Sequence, residues 1–353
     1  MKIALFCSSR NEISSLRNGG TEQSIYYLAL GLASRGHQVT LYAAKKSKVP
    51  GVKIKEISPW PVKSQDIKFI NIKDRIASFY DLTALADFFK NEIDNYDIIQ
   101  YNSFSFHEIL PFVRYTTKPI VIRINYPHKF FYRYTKKYLK QCRSVYFLPV
   151  SKFIKTILPG LNYLKPIYIG IDMNDFEFSG KSGDYLLHIG RICFDKGAHI
   201  AISIAKKIGK KLIIAGGMTE NHHRKYFQDK IAPFIDGRQI IYLGEVGFKE
   251  KVKLYQSAQA TLFPILWDEP FANVPIESMA CGTPVISFNT ASAREAIKDK
   301  KTGFLVNNKA EMIKAVKNIN IISRLLTRQW AEKYFSLNRC IDDYEKIYEK
   351  IVI

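Results

Sequence analysis

Short apolar runs alternate with helical patterns from one end of this chain to the other, and that alternation leaves few folds open. A first set reads KIALFC, QVTLYA, DIIQY, PIVIRI and SVYFLPV; a second reads YLLHIGR, KLIIAGG, IIYLGE, ATLFPI, PVISF and GFLV. Each run is too short to be a core helix and is followed by a helical segment, which predicts parallel strands covered by helices. With 353 residues the chain can bury two such cores. The fold class expected is therefore α/β with two doubly wound, Rossmann-like domains. Residues 1–171 form the first, the polar stretch 172–184 (DMNDFEFSGKSGD) is the linker, and 185–322 form the second. Residues 323–353 read as helices, with Trp330, Tyr334, Tyr344 and Tyr348 as packing residues.

Charge is the second constraint. The formal net charge is +21, and between Glu108 and Asp172 there is no acidic residue at all. Lys129, Arg133, Lys136, Lys137, Lys140 and Arg143 fall in that interval among Phe130, Phe131, Tyr132, Tyr134 and Tyr138. On a helix Phe131, Tyr134, Tyr138 and Cys142 share one side while Arg133, Lys136, Lys140 and Arg143 share another. Two readings stand: a solvated face whose apolar side packs into its own domain, or a basic-aromatic helix resting on anionic lipid. The missing acids favour the second. Cys7, Cys142, Cys193, Cys281 and Cys340 are scattered without metal-ligand spacing, so neither a disulfide framework nor a zinc site is expected. The N-terminal MKIALFCSSR reads as a strand, and no window is apolar for long enough to span a bilayer. The expected location is cytoplasmic, peripheral on the inner face of the cytoplasmic membrane.

The chemistry concentrates in WDEPFANVPIESMACGTPVISF, residues 267–288. Glu269 and Glu277 flank a loop-to-helix transition in which Pro275 suits the first helical turn. The loop offers the backbone N–H groups of Phe271, Ala272 and Asn273 at the positive end of a helix dipole, a place for a phosphate or a sugar oxygen. A carboxylate beside them repels phosphate but accepts from paired hydroxyls, as on a sugar ring or a ribose. That combination points to a nucleotide sugar. The plainer alternative is that Glu277 caps its helix and Glu269 is a loop charge. Upstream, GRICFDKG leaves a strand and enters a helix, bringing Gly190, Arg191 and Lys196 to a position where two cations could meet a diphosphate; pairing with Asp195 or Glu220 is the competing reading.

Taken together, GGTE near the N-terminus, VSKFIK, HIGRICFDKG, the glycines of IIAGG and LGEV, EPFANVPIE, MACGTPVISF and TGFLV place the chain in a known pattern. It resembles the family 4 retaining glycosyltransferases of the GT-B fold over essentially its whole length, most strongly from Asp184 to Val306. The resemblance implies two facing Rossmann-like domains, acceptor-binding and donor-binding in that order, with the C-terminal helices returning to the first. It implies that Arg191 and Lys196 neutralise the donor diphosphate, that Glu277 takes the ribose hydroxyls, and that Glu269 sits at the donor sugar. Phe271, Ala272 and Asn273 would supply N–H groups, Gly19 and Gly20 would let backbone approach the ligand, and Gly216 and Val246 would lie by the base. Transfer would proceed with retention and without a dedicated metal or cofactor, from a UDP- or GDP-sugar to a glycan or lipid-linked acceptor in cell-surface polysaccharide assembly.

The chain departs from its relatives in places. Asn125, followed by Tyr126, Pro127 and His128, stands where a histidine is common, and EPFAN replaces the usual E-P-F-G-L. Ile169 and Ala291 also depart from the usual asparagine and glycine. These changes read as drift in donor specificity in an active enzyme, with an inactive paralogue as the alternative. A sugar-nucleotide epimerase of the same fold is the first alternative. A non-enzymatic nucleic-acid binder is the second, and it leaves the two glutamates unexplained. A nicotinamide oxidoreductase is weaker still, because FCSSRNEISSLRNGG is far too long for a tight G-x-G-x-x-G turn.

Overall fold

The computed structural model describes residues 1–15, 20–62, 70–102, 106–126, 132–139 and 142–352. In chain order the first half carries β1 (Lys2–Phe6), α1 (Gly20–Ser34), β2 (Gln38–Ala44), β3 (Lys53–Ser58), α2 (Ile70–Asn91), β4 (Ile98–Tyr101), β5 (Ile120–Ile124), α3 (Tyr132–Leu139), β6 (Val145–Pro149) and α4 (Lys152–Ile157). Its six strands pair in parallel in the order β3-β2-β1-β4-β5-β6. Five strands are expected here from the sequence. The additional one, β3, reads KIKEIS: as an edge strand it keeps charges outward and so lacks an unbroken apolar run.

The second half carries β7 (Tyr185–Ile189), α5 (Ala198–Lys207), β8 (Lys211–Ala215), α6 (Asn221–Lys230), β9 (Ile240–Tyr242), α7 (Phe248–Ser257), β10 (Ala260–Phe263), α8 (Asn273–Ala280), β11 (Val285–Phe288), α9 (Ala291–Ala296), β12 (Gly303–Val306), α10 (Lys309–Lys317) and α11 (Arg324–Phe335). Its sheet runs β12-β11-β10-β7-β8-β9, again parallel throughout. Read from its own first strand, this is the same 3-2-1-4-5-6 order as the first sheet. Both sheets therefore reverse direction next to their first strand, at β1/β4 and at β7/β10, where doubly wound folds open a crevice at the strands' carboxyl ends.

The chain divides into two compact units, Met1–Gly170 with Leu337–Ile353, and Ile171–Ser336. The last helix, α12 (Leu337–Val352), thus belongs to the first unit. Cys340, Ile341, Tyr344 and Tyr348 join a core with Leu28, Leu32 and Val121. Helical Gly31 makes room for this, because a Cβ there would stand 2.7 Å from the Ile341 side chain. Buried Arg123 donates to the Tyr344 hydroxyl and to Ile167 O, and Tyr348 donates to Gln100.

The first of the two C-terminal helices behaves differently from the expectation that residues 323–353 leave the second domain together. Helix α11 stays with the second unit because two guanidiniums fasten it there. Arg324 donates to Ser179 O (2.8 Å), Ala258 O (2.9 Å) and Gln256 O (2.7 Å), while Arg328 reaches the carbonyls of Met173, Phe176 and Ala280. The same bonds hold the expected linker against this unit. Ser179 N donates to Cys281 O at 3.1 Å, and Phe178 lies where a Cβ on Gly282 would be, 2.7 Å away.

The basic helix is also shorter than its pattern suggests. Cys142 N donates to Leu139 O at 3.0 Å, and a turn at Arg143–Ser144 leads into β6, so Cys142 and Arg143 lie beyond the end of α3. The turn is required because Val145 must pair with Ile120. Lys137 and Arg143 are exposed and Lys136 is half-buried near Gly160. Lys129, Phe130, Phe131 and Lys140 lie outside the described residues, as do the side chains of Tyr132, Arg133 and Tyr134. No helix among the described residues is long and apolar enough to cross a membrane.

Candidate active site

In the second unit the switch point falls between β7 and β10, and the segments leaving these two strands meet there. After β7 the chain passes Gly190 and Arg191 and makes a single turn, Phe194–Lys196, that ends at Gly197 with φ of 75°. A Cβ on Gly197 would stand 2.1 Å from Pro264 O, so glycine permits the loop after β10 to approach. Leu266 N then donates to Asp195 O at 2.8 Å and joins the two loops. The result is a direct pairing of predicted site residues: Lys196 Nζ lies 2.7 Å from both oxygens of Glu269. The ammonium also stands over the rings of Phe263 and Trp267, at 5.9 and 5.8 Å.

Lys196 thus pairs with Glu269, not with Asp195 or Glu220 as in the competing reading of its charge. Arg191, by contrast, is exposed.

Glu277 is the fifth residue of α8, with Asn273 first and Pro275 third, so it does not cap its helix. Its side chain is buried against α7. Oε1 accepts from Lys251 Nζ at 2.9 Å and Oε2 from the Tyr255 hydroxyl at 3.0 Å. Burial and the neighbouring carboxylate push the Tyr255 phenol well up, which keeps it protonated and donating. Each carboxylate oxygen can accept more than one bond, so acceptor capacity remains on Glu277. Lys251 and Tyr255 were not singled out from the sequence. Their signal was the i,i+4 spacing in KVKLY, which puts both on one helix face.

At the starts of α8 and α9 three buried polar atoms have no partner among the described residues: Asn273 Oδ1, Thr290 Oγ1 and Ser292 Oγ. Phe271 and Ala272 are buried and Asn273 half-buried. Asp268 Oδ1 accepts from Ala291 N at 3.2 Å and so fastens the loop after β10 to the start of α9. Orphaned acceptors and hydroxyls at a carboxyl edge are what a polyhydroxylated ligand satisfies.

On the other side of β7, Gly216 has φ of 150° and a Cβ there would stand 1.8 Å from Gly190 O. Gly216 N donates to Gly244 O and Ile192 N to Gly217 O, closing the loops of β7, β8 and β9 on one another. Val246 is half-buried in the loop after β9. Of the residues expected in the first unit, Gly20 opens α1 and is exposed, and Asn125 is half-buried directly after β5. Gly19 and His128 lie outside the described residues.

Two family models tile the chain: Glycosyltransferase Family 4 matches residues 18–174, and Glycosyl transferases group 1 matches residues 173–332. The chain belongs to glycosyltransferase family 4. Among the relatives of this family 4 member, a protein of Methanocaldococcus jannaschii named as a glycosyltransferase is 29% identical over 194 residues, 48% of this chain and 49% of its own. That match spans about half the relative's length. An O-antigen chain mannosyltransferase of Escherichia coli is 24% identical over 371 residues, covering 95% of each chain. Among solved structures, the Anabaena HepE protein in complex with UDP superposes with a TM-score of 0.74 at 16% identity, covering 99% of this chain and 100% of that one. At that identity the likeness speaks for the fold, which is GT-B.

Proposed function

We propose that this family 4 member is a retaining glycosyltransferase that moves a hexosyl unit from a UDP- or GDP-sugar to a glycan or lipid-linked acceptor in cell-surface polysaccharide assembly. The observation that carries the reading is the meeting of Lys196 with Glu269 at the β7/β10 switch point, in the same unit as α8 and its buried Glu277. In the reaction, the bond from the sugar's anomeric carbon to the diphosphate oxygen breaks and a bond to the acceptor oxygen forms on the same face. The acceptor's proton passes to the departing phosphate oxygen. Arg191, Lys196 and the α8 N-terminus stabilise the developing phosphate charge, and Glu269 orients the sugar through its hydroxyls. Glu277 accepts from the ribose diol while Lys251 and Tyr255 hold it in place.

Two relatives bear on the finer assignment, one named for a mannosyl transfer to O-antigen and one structure holding UDP. A cytoplasmic protein held at the membrane by its basic surface fits a lipid-linked acceptor, with Lys136, Lys137 and Arg143 as its described contributors. The test is a thermal-shift series with UDP-, GDP- and ADP-sugars, followed by NMR of the anomeric proton of the product. A rise in melting temperature with one UDP- or GDP-sugar and a product of unchanged anomeric configuration are expected. No shift with any nucleotide sugar would overturn the donor assignment, and conversion of the sugar without an acceptor would favour an epimerase.

A further inference from the structure

The second unit carries a group of side chains that the transfer reaction does not use. Glu220, His222 and His223 stand at the start of α6, just after the Gly216–Gly217 loop, and one ligand atom from each lies within 4.8 Å of the others. Among the described residues this is the one grouping of histidine, cysteine and carboxylate side chains so closely convergent.

One edge already has the dimension a metal requires. Bonds of about 2.0–2.1 Å at a tetrahedral angle place two ligand atoms roughly 3.3–3.4 Å apart, and Glu220 Oε2 lies 3.3 Å from His222 Nδ1. The two imidazole rings are neighbours, with centroids 4.2 Å apart. His223 is buried while Glu220 and His222 are exposed, so an ion would be reached from solvent and backed by protein.

Two imidazoles and one carboxylate select a borderline first-row ion over magnesium or calcium, which require oxygen donors. The helix N-terminus and Arg191 oppose a cation here, and the Glu220 carboxylate offsets part of that cost. A bound diphosphate would offset more, since Arg191 is a proposed diphosphate partner and the loops of β7 and β8 touch through Gly190 and Gly216.

We propose that Glu220, His222 and His223 bind a divalent transition ion, with zinc as the reference case, and that this ion strengthens nucleoside-diphosphate binding on the same unit. The second half rests on the donor assignment above; the first half does not. The ion takes no part in bond breaking. It adds positive charge beside the diphosphate and is held by residues that leave Lys196, Glu269 and Glu277 untouched.

The test uses the full chain without an affinity tag. Zinc is titrated by calorimetry, and cobalt(II) by its visible absorption, in the absence of nucleotide. One ion per chain is expected, with zinc affinity falling at least about tenfold in His222→Ala and in Glu220→Gln, since a lost ligand costs no less than a lost supporting group. Both altered residues are exposed, so these variants keep the fold; His199→Ala should bind as the parent does. Absence of saturable binding, or equal affinity in the two ligand variants, overturns the site. UDP is then titrated with and without saturating zinc. Zinc should tighten UDP about fivefold or more in the parent but not in His222→Ala, and UDP should tighten zinc by the same factor. Equal UDP affinity with and without zinc overturns the coupling. Failure of UDP to bind under either condition defeats the donor assignment while the zinc titration still decides the site.

Discussion

Asp81 offers a direct test of how the first unit is held at its own switch point. It lies on α2 and is buried to 3% exposure, with Oδ1 accepting from Ser9 N at 2.7 Å and Oδ2 from Ser8 Oγ at 2.9 Å, both just after β1. Burial, together with the Glu108 carboxylate, pushes its carboxyl up to about 7. Glu108 is itself buried, accepting from Ser78 and Tyr101, and Glu22 lies on the far side near Cys7. Arg10, which follows Ser9 in the chain, is paired with Asp74. A raised carboxyl means the native state holds a proton that the unfolded chain releases, so this group costs stability as pH climbs from about 4 to 7. Taking 3.8 for the unfolded chain and about 7 for the folded one, the loss between pH 5 and pH 8 is roughly 2.5 kcal/mol.

Asp81→Asn keeps the shape and one acceptor oxygen for Ser9 N while removing the titration. Urea unfolding of both proteins at pH 5, 6, 7 and 8 isolates the effect, because every other titrating group is common to the two. Asn should gain on Asp by roughly 2.5 kcal/mol across that range. Trp60, whose ring packs against Tyr80, gives the fluorescence signal of this unit. A difference between the two proteins that stays flat with pH, or that shrinks as pH rises, would refute the reasoning.

In the second unit the sign reverses. His188 is buried with Nδ1 at Leu262 O, and burial pushes it down to about 4, so its stability contribution is complete above about 6.5 and is lost as pH falls toward 4. His188→Phe should remove about 3 kcal/mol of acid sensitivity between those limits, read by the same denaturation series. Gly216→Ala should destabilise this unit by more than about 2 kcal/mol, since its Cβ would meet Gly190 O at 1.8 Å in a left-handed backbone; an unchanged melting temperature would show that the loops are not so tightly joined. Glu277→Gln should weaken nucleotide-sugar binding about tenfold, because an amide offers one acceptor oxygen where the carboxylate offers two. Calorimetric titration at matched stability checks this, and equal affinity would remove Glu277 from the ribose.

The two sheets were legible in the sequence because buried parallel strands leave continuous apolar runs, as in YLLHI and KLIIA. Edge strand β3 was not, since KIKEIS alternates charge with isoleucine. Among site residues, Lys196, Glu269 and Glu277 could be named from spacing and resemblance. Their partners could not, because pairing is a three-dimensional fact: nothing in the spacing says that Lys196 meets Glu269, 73 positions away, or that Lys251 meets Glu277 across two helices. The boundary at 323 failed for a related reason. What assigns helix α11 to the second unit is the reach of Arg324 and Arg328 to carbonyls far along the chain.

The paired charges also constrain how a donor would bind. A diphosphate arriving at Lys196 finds its ammonium already neutralised by Glu269, so the attraction it gains is reduced by the pair it loosens. Binding would repay this only if Glu269 acquires new donors at the same moment, and the hydroxyls of a sugar are donors of that kind. A bare diphosphate cannot supply them. The Lys196–Glu269 pair would therefore discriminate in favour of a complete nucleotide sugar over its nucleotide product, easing product departure after transfer. Glu269→Gln should narrow the difference in affinity between nucleotide sugar and nucleoside diphosphate, chiefly by tightening the latter. A variant that weakens both ligands equally would show that Glu269 acts only to hold the loop.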